Sequence, residues 1–388
     1  MKYRRLGNID VSVISFDCGV ASTLPPANFR ALVQKAFDAG IDFFYAIHPD
    51  ESAALGESLD ALEARRRTYV AAGIPTFFAA YTTHLMSSAE FLEHELADRL
   101  ERLKTNYIDC FVLDLGAGRS VDLESVLKET IPAHFHPRSM TTSSYEGGIF
   151  LHETLAECFQ TLGRFKTEGR IRLIAISGEN ISYVRRILVK HAEVDAAFVP
   201  YNYAFRAAAQ ELIPIASETK TAVVATRPLW WGVREIPVTV LAESPFPPEA
   251  AGIPAKAAAL VSAACKWPLT EPAVATVLVE PSSLAEVGET ASAGDDGAWT
   301  RNDEETLRGI AAVASAQRGV FLVLSAMNSK DPTLRARGWA ACLRMGLPDF
   351  GYDPSSSEDA RTAALKQIAA SEVQVKPAPP AEDLDELL

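Results

Sequence analysis

The chain has 388 residues, of which 48% are hydrophobic, so it can bury one large core. Its 37 basic and 50 acidic residues give a formal net charge of −13, which argues against a nucleic-acid or anionic-membrane surface because a polyphosphate partner requires a basic face. The first residues include Arg4, Arg5, Asn8 and Asp10, and no stretch approaches the ~20 apolar residues of a membrane span, so we expect a cytoplasmic protein without a signal peptide.

Five cysteines are spread widely along the chain and form no C-x-x-C pair. An odd number of well-separated thiols encodes neither a disulfide framework nor a zinc ribbon nor an iron–sulfur cluster. We therefore expect reduced and mostly buried thiols at Cys18, Cys110, Cys158, Cys265 and Cys342.

Short apolar runs alternate with amphipathic stretches through most of the chain, a pattern typical of repeated βα units around a parallel sheet. Several of these runs are apolar nearly throughout, as strands covered on both faces must be. An N-terminal hairpin from Tyr3 to Asp17 precedes them and can supply the first barrel strand. The other predicted strands are Ile41 to Ala46, Thr68 to Ala72, Ile108 to Leu113, Leu173 to Ser177, Ala196 to Tyr201, Ala222 to Thr226 and Thr276 to Val279.

The stretches between the strands carry apolar residues at helical spacing. Gly40 and Gly169 are predicted to end two of these helices as C-terminal caps. No G-x-G-x-x-G turn follows an early strand, which favours a (β/α)8 TIM barrel over a doubly wound open sheet. The predicted helices are Phe29 to Ala39, Ala89 to Leu103 with an apolar face of Phe91, Leu92, Leu96, Leu100 and Leu103, Leu151 to Glu168, Ile181 to His191, Ala207 to Thr219 and Ala255 to Lys266.

Two segments interrupt the alternating pattern. Residues 116–148 form a long connection after the fourth strand, and long loops in compact domains are usually functional or disordered. From about Asp303 helical segments replace the βα units, and KDPTLRARGWAACLRMG resembles a single helix of a HEAT-type repeat. We therefore divide the chain into a barrel over 1–310, a C-terminal helical extension over 311–370 and a disordered acidic, Pro-rich tail over 371–388.

Several motifs in succession resemble those of one enzyme family. The opening MKYRRLGNIDVSVISFDCG has the form Y-R-x-L-G-x-x-x-x-x-V-S, AFDAGIDFF is similar to A-x-x-x-G-I-N-F-F-D-T-A, and ESAALGESL is similar to E-x-x-L-G-x-A-L. LERLKTNYIDCFVLD follows L-x-R-L-x-T-D-Y-I-D-L-Y-L-L-H. The pattern continues with ETLAECFQTLGRFKTEGRIRLIAIS, with the pair Tyr201 and Asn202, and with PLWWG from Pro228. In this order and spacing, residues 1 to about 310 resemble the aldo-keto reductases.

The resemblance implies a barrel that transfers hydride from NADPH to a carbonyl, with a tyrosine as general acid, a lysine and an aspartate that tune it, and a histidine that orients the substrate. This sequence departs from the pattern at all four positions. The family's aspartate falls on Tyr45, its tyrosine on Asp50, its lysine on Gly73 and its histidine on Asp114. A phenol donates its proton at neutral pH only if positive charge lowers its pKa from about 10, so these replacements predict a catalytically degenerate barrel.

The positions that the resemblance assigns to the cofactor are altered as well. The family's phosphate loop falls on Leu278 to Ser282, where Glu280 places a negative charge near the expected 2′-phosphate, and the residue beneath the nicotinamide falls on Phe198. We therefore expect either no NAD(P) or weakly bound NAD(P). The positions that keep the pattern, or that could pair with an anion, are Ser177, Asn202, Arg227, Pro228, Leu229 and Gly232.

A metal site can be imagined from His134 and His136 in the long loop together with Asp114 and His152. An H-x-H pair without a third ligand at fixed spacing is common by chance, so we predict no metal. Near the second strand, His48 and Asp50 could form an acid–base pair, but a solvated turn aided by Pro49 is the favoured interpretation.

Trp230 and Trp231 follow the seventh strand, where aromatic side chains can stack on a flat ligand or simply cover the barrel rim. Both interpretations stay open.

We interpret the chain as an aldo-keto reductase-like barrel that serves as a binding or scaffold module. A protein partner would contact it through residues 116–148 or the C-terminal extension, and no nucleic-acid or membrane partner is expected. The alternative is an active enzyme of altered chemistry. It would be an NAD(P)-dependent oxidoreductase that uses His48, Asp50 or Asp114 as proton donor, or a metal-assisted hydrolase at the barrel mouth.

Overall fold

The computed structural model describes residues 1–75, 87–115, 144–230, 236, 239–240, 257–295, 298–315 and 320–370. The chain divides into two compact units, each with its own buried core. The first unit consists of Met1–Tyr201, Arg206–Thr226 and Glu271–Asp296, and the second of Asn202–Phe205, Arg227–Thr270 and Gly297–Leu388. The division into domains at residues 310 and 370 remains a prediction.

The first unit begins with the predicted hairpin. Strands β1 (Tyr3–Leu6) and β2 (Ile9–Ser12) pair in antiparallel fashion around Gly7, whose φ of 57° is the left-handed conformation that such a tight turn requires. The apolar side chains of the hairpin belong to the same buried cluster as the interior of the barrel. The hairpin therefore fills one end of the barrel core.

The first unit also contains the barrel strands, which are β3 (Ile14–Asp17), β4 (Phe43–Tyr45), β5 (Tyr69–Ile74), β6 (Ile108–Asp114), β7 (Ile171–Ser177), β8 (Ala196–Pro200), β9 (Ala222–Thr226) and β10 (Val274–Val279). Within the described residues these eight strands pair in parallel and in sequence order, and β10 also pairs with β3 to close the barrel. The structure thus confirms the predicted (β/α)8 barrel. Most strand residues are buried, because helices cover the outer face while side chains fill the inside.

Helices follow most of the barrel strands. They are α1 (Pro26–Asp38), α2 (Pro49–Ala61), α3 (Ser88–Arg102), α4 (Ser144–Thr167), α5 (Ile181–Lys190), α6 (Ala207–Glu211), α7 (Ile213–Thr219), α8 (Ala257–Lys266) and α9 (Leu284–Asp295), of which α8 belongs to the second unit. Gly40 and Gly169 lie just beyond α1 and α4 with φ of 84° and 74°, which confirms their prediction as C-terminal caps.

Three local predictions need correction. The connection expected to reach residue 148 ends earlier, since α4 begins at Ser144. The single helix expected from Ala207 to Thr219 is divided into α6 and α7, because Pro214 has no N–H with which to continue the ladder of α6. The turn expected around Pro49 is instead the start of α2, with Pro49 in its first turn.

The second unit is helical in its C-terminal part, as the sequence predicts. Its helices are α10 (Arg301–Ser315), α11 (Val320–Asn328), α12 (Pro332–Arg344) and α13 (Glu358–Ala370). Helices α11 and α12 approach closely at Gly338, where a Cβ would lie 2.8 Å from the backbone nitrogen of Met327. Arg335 of α12 donates to the carbonyl oxygens of Ser329 and Lys330, which follow the end of α11.

All five cysteines are buried and unpaired, which confirms their prediction as interior thiols. Within the described part of the chain, no helix has both the length and the apolar character that crossing a bilayer would require.

Candidate functional site at the barrel mouth

The carboxyl ends of β3 to β10 form one end of the barrel, which we call the mouth, and (β/α)8 enzymes place their active sites at this end. Successive side chains of a strand point to opposite faces, so residues two apart point to the same face. A residue two positions after an interior one, at the end of a strand, therefore points into the mouth. Val112 and Ala175 belong to the interior cluster, and Asp114 and Ser177 follow them as paired neighbours at the ends of β6 and β7. The mouth therefore brings together Tyr45, Gly73, Asp114 and Ser177 of the sequence-predicted residues.

Tyr45 lies at the end of β4 and is only 8% exposed. Its hydroxyl is hydrogen-bonded to Ser177, and its ring centre lies 5.2 Å from that of Phe198, which is also buried. Burial, followed by the charges of Asp114 and Asp17, holds the pKa of Tyr45 well above its usual value, and only the Ser177 bond acts in the opposite direction among its main influences. A phenol in these surroundings keeps its proton at neutral pH.

Gly73 lies in β5 opposite Val112 of β6, and the two strands approach very closely there. A Cβ added to Gly73 would lie 1.9 Å from the carbonyl oxygen of Val112. On the outer side, the carbonyl oxygen of Gly73 accepts a hydrogen bond of 2.9 Å from Nε of Arg99, a buried residue of α3. No lysine side chain fits at Gly73 unless the two strands separate.

His48 and Asp50 lie at the start of α2, where both are exposed. The backbone N–H of His48 donates to the carboxylate of Glu51 over 3.0 Å, and Asp50 occupies the first turn, where a negative charge stabilises the helix. Both residues thus have roles in starting the helix, and the solvated turn expected here is replaced by a helix terminus.

Three residues for which the sequence indicated no site role also belong to this end of the barrel, namely Asp17, Cys18 and Glu51. Cys18 is fully buried, and its pKa is raised well above the usual value by burial and then by the charges of Glu51, Asp17 and Glu280. The side chain of Glu280 lies against Gly19, where a Cβ would be 2.6 Å from its Oε1. Because Asp17 ends the first barrel strand, the rule that strand ends meet at the mouth could have identified it.

The segment Leu278 to Ser282, to which the resemblance assigns the phosphate loop, leads from β10 into α9. Leu278 is buried and Glu280 is exposed. The backbone N–H and the hydroxyl of Ser282 both donate to the carboxylate of Glu286, over 2.6 and 3.0 Å. The N–H group of Ser282 at the start of this helix therefore already donates to a side-chain carboxylate. It is not available to a phosphate.

The remaining predicted residues belong to the second unit. Asn202 is fully buried, and its amide nitrogen donates to the carbonyl oxygens of Arg227 and Trp230 while its oxygen accepts from the N–H groups of Ala204 and Phe205. Both donors and both acceptor positions of this side chain are thus used within the chain.

Arg227 has a φ of 58°, a left-handed conformation that is uncommon for a residue with a side chain. Pro228 is buried, and Leu229 packs against the apolar core of the second unit. Trp230 is half-buried, whereas Trp231 and Gly232 lie outside the described residues.

His134 and His136 also lie outside the described residues, and of His152 only the backbone is described, as part of α4. Among the side chains that the structure describes, no three histidine, cysteine or carboxylate groups are arranged to hold a metal ion.

Three comparisons relate this chain to known proteins. The model of the aldo/keto reductase family matches residues 19–235. Among curated proteins, the chain is similar to L-galactose dehydrogenase of Arabidopsis thaliana, with 25% identity over 336 residues that cover 81% of this chain and 94% of that protein.

Solved structures of similar fold include the aldo-keto reductase AKR11C1 from Bacillus halodurans. Its holo form matches with a TM-score of 0.56 and 20% identity, and its apo form with 0.54 and 18%. Both alignments cover 82% of this chain and 99% of the other. At this identity the likeness establishes the fold.

Proposed function

The chain belongs to the aldo/keto reductase family, and we propose that it keeps the family's barrel as a binding or scaffold module without carbonyl reduction. Members of the family are NAD(P)-dependent oxidoreductases, so the proposal concerns what this chain has lost and what it retains.

The observation that carries the proposal is the geometry at Gly73. The family's lysine supplies the positive charge that lets a tyrosine act as an acid, and Gly73 stands at its position. The approach of Val112 leaves no space for a longer side chain there. The proposed loss of the lysine therefore involves the packing of β5 against β6 as well as the change of residue type.

The surroundings of Tyr45 support the same conclusion. Its pKa is raised by burial and by the carboxylates of Asp114, Asp17 and Glu51, whereas an acid catalyst of neutral solution needs a lowered pKa. A developing alkoxide beside these carboxylates would also be repelled.

Weak or absent NAD(P) binding is part of the proposal. Glu280 brings negative charge to the segment expected to hold phosphate, and Glu286 already accepts hydrogen bonds from Ser282 there. Asn202, which the resemblance assigns to the cofactor, has its amide engaged by backbone groups. These residues do not fit a dinucleotide phosphate.

The retained function would be contact with a protein partner in the cytoplasm. The segments proposed for this contact are residues 116–148, of which 116–143 lie outside the described residues, and the C-terminal extension over 311–370. Long insertions between elements of a rigid scaffold commonly carry binding function, which supports this choice.

The decisive experiment is an assay of nicotinamide cofactor turnover. The purified chain would be incubated with NADPH or NADH and a panel of aldehydes and quinones, and with NAD or NADP and L-galactose, with the Arabidopsis L-galactose dehydrogenase as positive control. We expect no cofactor turnover above the protein-free blank.

Turnover that disappears in Tyr45→Phe or Asp114→Asn would overturn the proposal. It would establish the alternative, an active oxidoreductase in which other groups supply the proton. A thermal-shift scan of the same variants with each cofactor would separate lost binding from lost chemistry, since a ligand of the folded state raises its melting temperature.

A further inference from the structure

A pocket of about 650 Å3 lies at the end of the barrel opposite to the mouth. Its lining comes from residues 65–66, just ahead of β5, and 104–107, just ahead of β6, together with Leu100 and Glu101 of α3. We call it the amino-end pocket. It is an open depression on the surface, and it shares no residue with the mouth.

Arg65 forms a fixed wall of the amino-end pocket. Its two Nη atoms donate to the carbonyl oxygens of Thr68 and Tyr107 over 3.1 and 2.9 Å, and one of them lies 3.0 Å from the buried carboxylate of Asp109. The guanidinium lies 4.2 Å from the centre of the Tyr107 ring, and that of Arg172 lies 4.8 Å from the same centre. Nε of Arg65 is buried and has no acceptor among the described residues.

The other cations of the pocket differ in how far they are neutralised. Lys104 has two carboxylates near its Nζ, Glu57 at 2.6 Å and Asp60 at 3.5 Å. Arg66 is exposed and makes no hydrogen bond or ion pair with any residue that the structure describes. Its guanidinium is therefore available to a ligand.

Two further donors belong to the lining of the pocket. The side-chain amide of Asn106 and the hydroxyl of Tyr107 make no hydrogen bond with another side chain or backbone group in the described ranges. Glu101 is the carboxylate in the lining, and it opposes ligands that carry several negative charges.

We propose that the amino-end pocket binds a small anion through a carboxylate or phosphate group. Arg66 provides the paired N–H groups that match the oxygens of either anion, and Asn106 and Tyr107 add donors to the same lining. Arg65, held by Asp109 and by backbone carbonyls, contributes fixed positive charge without having to rearrange. Glu101 restricts the ligand to low charge.

Thermal unfolding in acetate and in inorganic phosphate, each compared with chloride at the same pH and ionic strength, tests the proposal. We expect one or both anions to raise the melting temperature of the wild-type chain. The Nε–Hε signals of Arg65 and Arg66 in NMR spectra of isotope-labelled protein should shift during the same titrations. The two arms distinguish a carboxylate from a phosphate ligand.

Matched variants locate the binding. Arg66→Ala should weaken it by about tenfold or more, because it removes a charged hydrogen-bond donor. Arg30→Ala, which removes an exposed arginine on α1, should leave it unchanged. Glu101→Gln should strengthen binding by about threefold through loss of like charge, whereas Glu218→Gln, at an exposed position of α7, should not.

Weaker anion binding by Arg66→Ala and stronger binding by Glu101→Gln, with binding by both controls unchanged, would support the proposal. No effect of either anion on the wild type, or an equal effect in Arg66→Ala, would overturn it. These results are independent of cofactor turnover, because no mouth residue is altered.

Discussion

The carbonyl oxygen of Val112 lies 1.9 Å from the point that a Cβ on Gly73 would occupy. Gly73 and Val112 are direct neighbours in the pairing of β5 with β6, so the obstacle is main chain that a rotamer change cannot remove. The packing leaves no space for a side chain at Gly73, the position to which the resemblance assigns the lysine.

Gly73→Ala should therefore destabilise the fold by about 3 kcal/mol or more, because the strands must separate to admit one methyl group. Gly73→Lys should be at least as damaging and should restore no reductase activity. Urea unfolding followed by circular dichroism measures the first effect, and the cofactor assay measures the second.

Gly163→Ala is the matched control for this prediction. Gly163 lies in α4 with nothing within 4 Å of its Cβ position, so alanine should stabilise the chain by about 0.5–1 kcal/mol. If Gly73→Ala changed the free energy of unfolding as little as this control, the two strands would not approach as closely at Gly73 as described.

Arg99 should be far more important to stability than Arg102, one turn along the same helix. Arg99 is 2% exposed and bonds the carbonyl of Gly73 and the carboxylates of Glu95 and Asp98, whereas Arg102 is partly exposed and bonds Asp98 alone. We expect Arg99→Met to lower the free energy of unfolding by about 3–5 kcal/mol, because it leaves buried hydrogen-bond partners unsatisfied. Arg102→Met should lower it by less than about 1 kcal/mol. Equal unfolding midpoints in urea for the two variants would contradict this difference.

Arg99 also shows what sequence patterning could not predict. The expected apolar face of α3 included Leu100, but Arg99 takes the buried position and Leu100 lines the amino-end pocket. A charged residue can occupy a core position only where specific partners satisfy it. The carbonyl of Gly73 belongs to a distant segment, so local sequence carries no sign of it.

Helix α2 was missed for a related reason. Gly56 interrupts its interior, and glycine there argues against a helix when the sequence is considered alone. In the structure a Cβ on Gly56 would lie 2.2 Å from the carbonyl oxygen of Arg102, so the glycine permits close packing against the end of α3. The barrel strands were predictable because apolar runs between turn residues encode them locally, and Ala222–Thr226 was predicted with its observed bounds.

The mouth was predictable only in part. Motif order located Tyr45, Gly73 and Asp114, but the Tyr45–Ser177 hydrogen bond and the carboxylates near Cys18 depend on which strand ends become neighbours. Barrel closure decides those neighbours, and no single segment contains them.

His191 should make the fold sensitive to mild acid. Its ring lies 4.7 Å from that of Phe159. Burial lowers the pKa of His191 below 6.5 against the opposing charge of Glu193, and the charge of Lys190 adds to the lowering. The unfolded chain then binds a proton more readily than the folded chain, so the free energy of unfolding should fall as the pH drops below about 6.5.

Urea midpoints between pH 7.5 and pH 5 check this prediction. His191→Gln should flatten the decline, while His94→Gln, at an exposed position of α3, should leave the slope unchanged. A slope that is identical in the wild type and in His191→Gln would show that other groups cause it.

Gly338 should be required for the packing of the helical second unit. Gly338→Val would drive a side chain into the backbone of Met327 and the methyl of Ala326, and we expect a loss of about 2–3 kcal/mol or more. Gly309→Ala, in α10 with open space at its Cβ, should instead be slightly stabilising. Thermal unfolding of both variants gives the comparison, and a neutral Gly338→Val would refute close contact of α11 with α12.

Glu280→Gln should improve the affinity for NADPH by about threefold and leave that for NADH unchanged, because only NADPH carries the 2′-phosphate that Glu280 would repel. Calorimetric titration measures both affinities, with Glu218→Gln as the control for loss of a distant negative charge. An equal gain for both cofactors would place Glu280 away from the 2′-phosphate.

The burial of every native thiol makes this chain convenient for site-specific labelling. Burial raises the pKa of Cys158 and Cys265 to about 12 and that of Cys342 to about 11, and maleimide dyes attack exposed thiolates. A single new cysteine on the surface, for example Glu218→Cys, would therefore take up a fluorophore while the native five stay unmodified. Fluorescence measurements could then follow the folded protein without a cysteine-free background.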